Sequence, residues 1–425
     1  MSKPNISSTT MPEYFDALEA QPPAVREAAL MAALSRQIAH AQHNTAAFGK
    51  LLDGVDASSI TSRRALSTLP VTRKSRLLDV QTAALPGDPL GGFSALLRGP
   101  GMPRLFSSPG PIYEPQGTAS DFWRTGRAMY AAGFRSGDLA HNSFSYHMTP
   151  GAFIIESGLH AVGCTVFPAG IGQTDQQLEA IAALRPDGYT GTPSFLRILV
   201  EKAMETGSDI SSMKKGLVGG EAFPPSLRDW FAEHGMAVYQ CYATADLGLI
   251  AYETEAREGL VIDEGVVVEI VRPGTGEPVG DGEVGEVVVT TLNPDYPLIR
   301  FGTGDLSAVM AGQCPTGRTN ARIKGWMGRA DQTIKIRGMF VHPWQVNDIA
   351  RRFSEVLKAR LVVSGEMAND AMHLRVESTT TQPDLATRIS EAIRDITKLR
   401  GTVELVEPGS LPNDGKVIED ARSYK

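Results

Sequence analysis

Between Asp138 and Asp246, short apolar runs alternate with helix-length amphipathic stretches, and this alternation constrains the fold more than any other feature of the 425 residues. Leu139 to Tyr146, Cys164 to Phe167, Asp187 to Tyr189, Leu217-Val218 and Met236 to Cys241 read as strands. Gly151 to Val162, Thr174 to Leu184, Ser194 to Met204 and Pro224 to Glu233 read as helices between them. This order predicts a mostly parallel sheet covered on both faces by helices. Such sheets hold their ligands beyond the carboxyl ends of the strands, so the residues just after each strand are where chemistry is expected.

The flanking regions read differently. Residues 12–85 look helical and connecting, with Ala24 to Ala41 rich in strong helix formers. No chemistry is expected there, only a support layer. After residue 260 the period becomes two: Val266, Val268 and Ile270 alternate, and Val284 and Glu286 to Val289 come after a turn-rich segment at 274–282. Antiparallel hairpins are predicted there. From about Asp331 the order becomes β-α-β-β-α-β, with apolar stripes at Val346, Ile349 and Phe353 and at Leu385, Ile389 and Ile393. The expected fold class is α/β. A large N-terminal domain (1–330) has mostly parallel sheets plus a β-rich subdomain, and a small α+β C-terminal domain covers 331–425.

Charge and cysteine usage remove several function classes. With 41 basic and 48 acidic residues the net charge is -7, and no basic stripe is visible, so no nucleic-acid partner is expected. Cys164, Cys241 and Cys314 are far apart and odd in number, which argues against a disulfide framework or zinc knuckle and for a reducing compartment. The opening residues lack an apolar h-region, so no signal peptide and a cytoplasmic location are expected. The most apolar stretch, Gly151 to Gly172, is broken by Glu156 and His160, so no membrane span is expected.

Four segments are able to carry chemistry. Leu298 to Leu306 places Asp305 after Gly-Thr-Gly, where a carboxylate on a tight turn suits a diol such as a ribose; a plain hairpin turn is the competing reading. In Gly328 to Gly338, Arg329 suits a phosphate or ribose and Asp331 a hinge, against a hairpin with exposed charges. Leu411 to Lys416 puts a lysine on a Gly-containing loop, either solvated or reaching a neighbouring domain. In Tyr239 to Asp246, Tyr242 suits a purine face and Asp246 a Mg²⁺, against a buried strand-end tyrosine. Upstream, Gly219 to Phe223 joins a strand to a helix, a place suited to a ligand edge. His141 and His147 have no Cys or carboxylate at ligand spacing, so they make a weak case for a metal.

Taken in order, these motifs resemble the adenylate-forming ligases, most closely the phenylacetate–CoA ligase branch. Asn142, Phe144 and Tyr146, and Thr192-Pro193-Ser194, share that resemblance. It implies a small mobile C-terminal domain. It also implies ATP, Mg²⁺ and CoA as cofactors, an aromatic or arylacetic acid as substrate, and a homodimer. Matching position by position, it implies that Asp305 binds the ribose hydroxyls and Arg329 assists there. Tyr242 with Ala243 and Thr244, and Gly220 with Glu221, would line the adenine. Asp246 would stand for the family's metal-binding Glu, and Lys416 would be the catalytic lysine. Asp331 would be the hinge and Gly338 would line the thiol channel. Phe144, Tyr146, His147, Thr192 and Pro193 would form the acid pocket. There are departures. The phosphate loop at 106–115 keeps Ser107, Ser108 and Gly110 but has three prolines and no lysine. The motif at 242–246 has lost its hydroxyl at 245, and Glu419 stands where an Arg is expected. Two alternatives remain open: a ligase charging a carrier protein, or a non-catalytic adenylate-binding homologue.

Overall fold

The computed structural model describes residues 14–327, 330, 334–341, 343–365, 370–380, 382–412 and 416–422. Among them, a nine-stranded sheet runs in the order Val309–Met310, Arg322–Ile323, Leu260–Ile262, Gly248–Glu253, Ala237–Thr244, Lys215–Val218, Gly188–Gly191, Leu139–Asn142, Thr165–Phe167. The last five are parallel, as the alternation predicts. The connecting helices are Gly151–Val162, Thr174–Leu184, Pro193–Thr206 and Pro225–Glu233. The third starts on Thr192, whose side chain accepts from the Phe195 N–H, with Pro193 in the first turn where its missing N–H costs nothing.

Two strand ends differ from expectation. The predicted strand through Tyr146 stops at Asn142, whose Oδ1 accepts from the Phe144 N–H at 3.2 Å and turns the chain. The predicted strand ending at Cys241 continues to Thr244, because its second half pairs antiparallel with Gly248–Glu253. Gly248 makes that reversal possible. It has a φ of +72°, and a Cβ there would stand 2.8 Å from the Trp123 carbonyl.

A second sheet contains the predicted hairpins. Val266–Val271, Gly285–Thr291 and Phe301–Ser307 are antiparallel, and Thr72–Arg73 adds in parallel. Helix Pro23–Asn44 lays Leu30, Leu34 and Ile38 into the same core as Val267, Val287, Val289 and Phe301, so it is the support layer expected. Arg300 joins these parts and is 1% exposed. Its guanidinium pairs with Glu269 through Nε (2.9 Å) and Nη2 (3.1 Å). It also donates to the carbonyls of Ser67 (2.9 Å), Leu69 and Gly276 (2.8 Å), so all five N–H donors are used.

Residues 334–422 have a core of their own, including Val346, Ile349, Val363, Leu374, Leu385 and Ile389. Their sheet runs Thr402–Val406, Ala371–Ser378, Val356–Ser364, Ile418–Asp420, with helices Pro343–Arg351 and Pro383–Thr397. Expectation and structure part at the first strand. Ile334–Ile336 pairs only with Met339–Val341, as a separate hairpin around Arg337 and Gly338, both at positive φ. That is the geometry of a tight two-residue turn. The sheet's outer place is taken by Ile418–Asp420 instead. Among the described residues no helix is long and apolar enough to cross a membrane.

Replacing Arg300 by Leu would strand a buried carboxylate and three carbonyls. The expected loss is about 3–5 kcal/mol of unfolding free energy, read from urea titration. A loss below about 1 kcal/mol would mean the pair does not hold the loop.

Candidate active site

Parallel strands put their carboxyl ends on one edge, and the register brings neighbouring ends together. The Ser143 N–H donates to the Thr190 carbonyl at 2.7 Å and the Gly219 N–H to the Gly191 carbonyl at 3.2 Å. The loops after Asn142, Gly191 and Val218 therefore abut. Ser194 Oγ donates to the Glu221 carboxylate, which ties 192–194 to the Gly219–Glu221 segment. Gly220 is left-handed at φ +77°, and a Cβ there would lie 3.9 Å from the Phe144 ring and 3.8 Å from Lys335 Nζ. Lys335, on the 334–341 hairpin of the small domain, donates to the Gly220 carbonyl at 2.8 Å. Desolvation lowers its pKa, opposed by the Glu221 charge.

Tyr242 and Asp305 also meet. Tyr242 Oη donates to Asp305 Oδ2 at 2.8 Å, and Trp326 Nε1 donates to Oδ1 at 3.1 Å. Asp305 is 8% exposed, and its own N–H donates to Thr303 Oγ1 at 3.1 Å. Two such bonds to different oxygens fix the orientation of the carboxylate. Ala243 lies at an irregularity in the ladder next to Tyr242. Thr244 Oγ1 accepts from the Leu247 N–H at 3.2 Å, which shapes the turn that presents Asp246. Arg329 and Asp331 lie outside the described residues.

Asp246 is 5% exposed. Its Oδ2 accepts from Lys74 Nζ at 2.9 Å, and Oδ1 has no partner. Lys74 opens helix Lys74–Ala84, directly after Thr72–Arg73, in the region where no chemistry was expected. Its contact with Asp246 was not expected from sequence; the pairing of Thr72 and Arg73 with Phe301 and Gly302 brings it there. The lysine-free segment expected to be the phosphate loop is a hairpin of Arg104–Ser108 and Ile112–Gln116. The Ser107 N–H donates to the Met148 carbonyl at 2.9 Å. Ser108 Oγ is turned inward, donating to Glu114. Burial pushes the Glu114 carboxyl well above the usual range, with the Asp246 charge adding to it and the Lys74 charge opposing it. Asp246 supplies an unpartnered, buried, hard oxygen, which is what a Mg²⁺ requires.

The remaining expected residues are spread out. Tyr146 Oη donates to Glu156 at 2.7 Å and accepts from Asn142 at 2.9 Å, and its ring packs edge-on against Phe153. It braces the loop from inside. His147 is exposed, whereas Phe144 is half-buried at the Gly220 edge. His141 is buried, bonded to Gln177 at 2.8 Å and stacked on Phe167 and Tyr189; burial lowers its pKa. It is a satisfied core residue. Gly338 is exposed at the hairpin tip, and Lys416 is exposed just before Ile418–Asp420. Sequence reasoning missed Lys74, Glu114, Trp326 and Lys335. Glu114 lies within the phosphate-loop segment and Lys335 within Gly328 to Gly338, but a single charge on a strand gives no periodic signal. Tyr242→Phe keeps the ring and removes one bond to the Asp305 carboxylate. The expected cost is about 1.5–3 kcal/mol in denaturant titration, and no change would show that the hydroxyl does not hold Asp305.

Several known proteins are similar to this chain. A family model described as AMP-binding enzyme matches residues 129–293. The phenylacetate-coenzyme A ligase of Thermus thermophilus is 30% identical over 364 residues, covering 81% of this chain and 79% of that protein. That of Aromatoleum evansii is 30% identical over 333 residues, covering 74% and 73%. A solved 2-hydroxyisobutyryl-CoA ligase, in complex with 2-HIB-AMP and CoA in the thioesterification state, is 24% identical. It has a TM-score of 0.83 over 100% of this chain and 94% of that one, so the fold is shared. The chain belongs to the AMP-binding, adenylate-forming enzyme family, in the branch of the phenylacetate-coenzyme A ligases.

Proposed function

We propose that this protein uses ATP to activate a carboxylic acid as an acyl-adenylate and then transfers the acyl group to CoA. The observation that carries the reading is Asp305, a buried carboxylate oriented by Tyr242 and Trp326, with the unpartnered oxygen of Asp246 four residues beyond that tyrosine. A diol acceptor and a hard-cation acceptor linked through one strand end suit a nucleoside triphosphate. The names of the curated relatives add CoA and point to an aromatic or arylacetic acid. Phe144, half-buried beside Gly220, with Thr192 and Pro193 opening the adjoining helix, is the proposed wall of the acid pocket.

In this reading an oxygen of the acid attacks the α-phosphorus, and the bond to pyrophosphate breaks. Binding and alignment supply most of the rate. Asp246 would hold a Mg²⁺, which would supply positive charge against the phosphates. Asp305, with Arg329, fixes the ribose; Gly220, Glu221, Ala243 and Thr244 border the base; Ser107 faces the phosphates. Lys416 neutralises charge between acid and α-phosphate. The thiol sulfur then attacks the acyl carbon and AMP leaves. The small domain, proposed to begin at 331, turns about Asp331 between the two steps. The Lys335 bond to Gly220 supports a thiol channel at Gly338, three residues away on the same hairpin. A cytoplasmic homodimer is the proposed form.

The test is AMP release with ATP and Mg²⁺ over a panel of aryl and short aliphatic acids, with and without CoA. AMP with an aryl acid, and acyl-CoA mass in the same tube, is expected. AMP without a thioester would point to another acceptor, and ATP binding without AMP would mean a non-catalytic homologue. Lys416→Ala is expected to slow adenylation by about 100-fold or more while sparing thioester formation from supplied adenylate. Equal loss in both half-reactions would remove Lys416 from the first step.

A further inference from the structure

Two buried side-chain amides lie beneath the edge where the parallel strands end. Asn142 is fully buried and Gln177 is 3% exposed. Asn142 Nδ2 donates to Tyr146 Oη at 2.9 Å and to the Ala152 carbonyl at 3.1 Å. Its Oδ1 accepts from the Phe144 N–H and from Thr190 Oγ1, both at 3.2 Å. Its main-chain carbonyl accepts from the Gly170 N–H at 3.0 Å. Gln177 Nε2 donates to the carbonyls of Gly170 at 2.9 Å and Gly172 at 2.7 Å. Its Oε1 accepts from Ser143 Oγ at 2.9 Å and from His141 Nε2 at 2.8 Å. Each amide faces a backbone group that only donates or only accepts, so its orientation is fixed. Together they join three segments: 142–146, 170–172, and Thr190 in the strand Gly188–Gly191. Gly170 is held at both its N–H and its carbonyl. A polar network with every group satisfied rigidifies the protein and specifies one arrangement. This one stands next to the acid pocket proposed above. The Phe144 N–H hangs directly on Asn142, and Thr190 stands two residues before Thr192.

We propose that Asn142 and Gln177 are positioning residues of the acid pocket, setting the spacing of its walls without touching the acid. The proposal rests on the reading that Phe144, Thr192 and Pro193 wall that pocket. Asn142 acts directly, because one oxygen holds both the Phe144 N–H and Thr190 Oγ1. Gln177 acts one step behind. It grips Ser143, between Asn142 and Phe144, and it fixes the Gly170 carbonyl while the Gly170 N–H holds Asn142 from below. Removing either amide frees the two walls to shift relative to each other. A shift of about 1 Å is enough to cost a bound acid up to about 100-fold. The nucleotide groups are held by other contacts: Asp305 by Tyr242 and Trp326, and Asp246 by Lys74. Nucleotide affinity is therefore the internal control.

The test is calorimetric titration of the full-length protein, first with α,β-methylene-ATP and Mg²⁺, then with a panel of aryl and short aliphatic acids at saturating nucleotide. Wild type is compared with Asn142→Leu and Gln177→Met, which keep the volume and remove the bonds, and with the milder Tyr146→Phe. Circular dichroism checks that each variant is folded. Asn142→Leu and Gln177→Met are each expected to weaken the best-bound acid about tenfold or more, and Tyr146→Phe about threefold. The affinity for α,β-methylene-ATP is expected to stay within about twofold of wild type. If neither amide variant folds, Tyr146→Phe decides. Equal weakening of acid and nucleotide would mean that the network only holds the fold, and would overturn the proposal. So would unchanged acid affinity in the folded variants, or no acid of the panel bound by wild type. Acid-dependent AMP release by wild type is scored separately. AMP release with unaffected variants would sink only the positioning role, whereas amide-dependent acid binding without AMP from any acid would sink the ligase reading and leave the pocket standing.

Discussion

The Arg300 guanidinium is the contact from which both arms of the site are positioned. It is buried, left-handed at φ 44°, and donates to one carboxylate and three carbonyls. Its own carbonyl accepts from the Thr72 N–H at 2.9 Å. Along the chain in one direction, five residues of the Phe301–Ser307 strand lead to Asp305. In the other, through Thr72 and Arg73, two residues lead to Lys74 and so to Asp246. A buried charge of this kind is weak as a source of net stability, because desolvation offsets the Coulomb gain. Its value here is register. With all five donors used, the 67–69 segment and the strand start have one compatible arrangement, so Asp305 and Asp246 keep a fixed separation.

The main sheet supplies the rest by topology. Five parallel strands end on one edge, and the reversal at Asp246 closes the series there, where Gly248 alone fits against Trp123. Small residues keep the sheet close-packed: a Cβ on Gly188 would stand 2.6 Å from the Phe134 ring. The segment after each strand is polar and short: Ser143 after Leu139–Asn142, Thr192 and Ser194 after Gly188–Gly191, Gly220 and Glu221 after Lys215–Val218. Their side chains are held in place: Ser194 donates to Glu221 across adjacent strand ends, Ser143 Oγ donates to Gln177 at 2.9 Å, and Thr192 Oγ1 accepts from the Phe195 N–H. The edge is thereby stiffened before any ligand arrives, the condition under which oriented dipoles assist a reaction most.

Legibility in the sequence divides along the same line. Periodicity located the parallel strands and all four connecting helices, because a buried strand and an amphipathic helix each repeat along the chain. It also located the apolar stripes of the small domain. It placed Ile334–Ile336 in the wrong sheet, since alternation shows that a strand exists and not which strand it pairs with. For the site, Asp305 and Tyr242 were legible through motif order, and the structure joins them by a direct bond. Lys74, Glu114 and Trp326 were not. Lys74 is 172 residues from Asp246 and Trp326 is 21 from Asp305, and such pairings are made by tertiary register alone. The missing loop lysine was legible as a departure. The cation that stands nearby in space was not.

The small domain adds attachments in two directions. Its 334–341 hairpin is tied to its own body by Arg337, which donates to the Asp370 carboxylate at 3.0 Å and carbonyl at 2.8 Å. Arg422 donates to the Lys335 carbonyl at 2.9 Å and also reaches Asp370 at 3.3 Å. These are charge-assisted bonds, and Asp370 is buried. Toward the large domain, Lys335 donates to a neutral carbonyl, at Gly220. That bond is charge-assisted as well, at about 1.5–3 kcal/mol, so the hairpin is held on both sides by bonds of one kind. The hairpin therefore carries bonds in two directions, to Asp370 and Arg422 within its own unit and to Gly220 across from it. Lys335 and Gly338 lie three residues apart on one tight hairpin, so whatever positions Lys335 against Gly220 positions Gly338 with it.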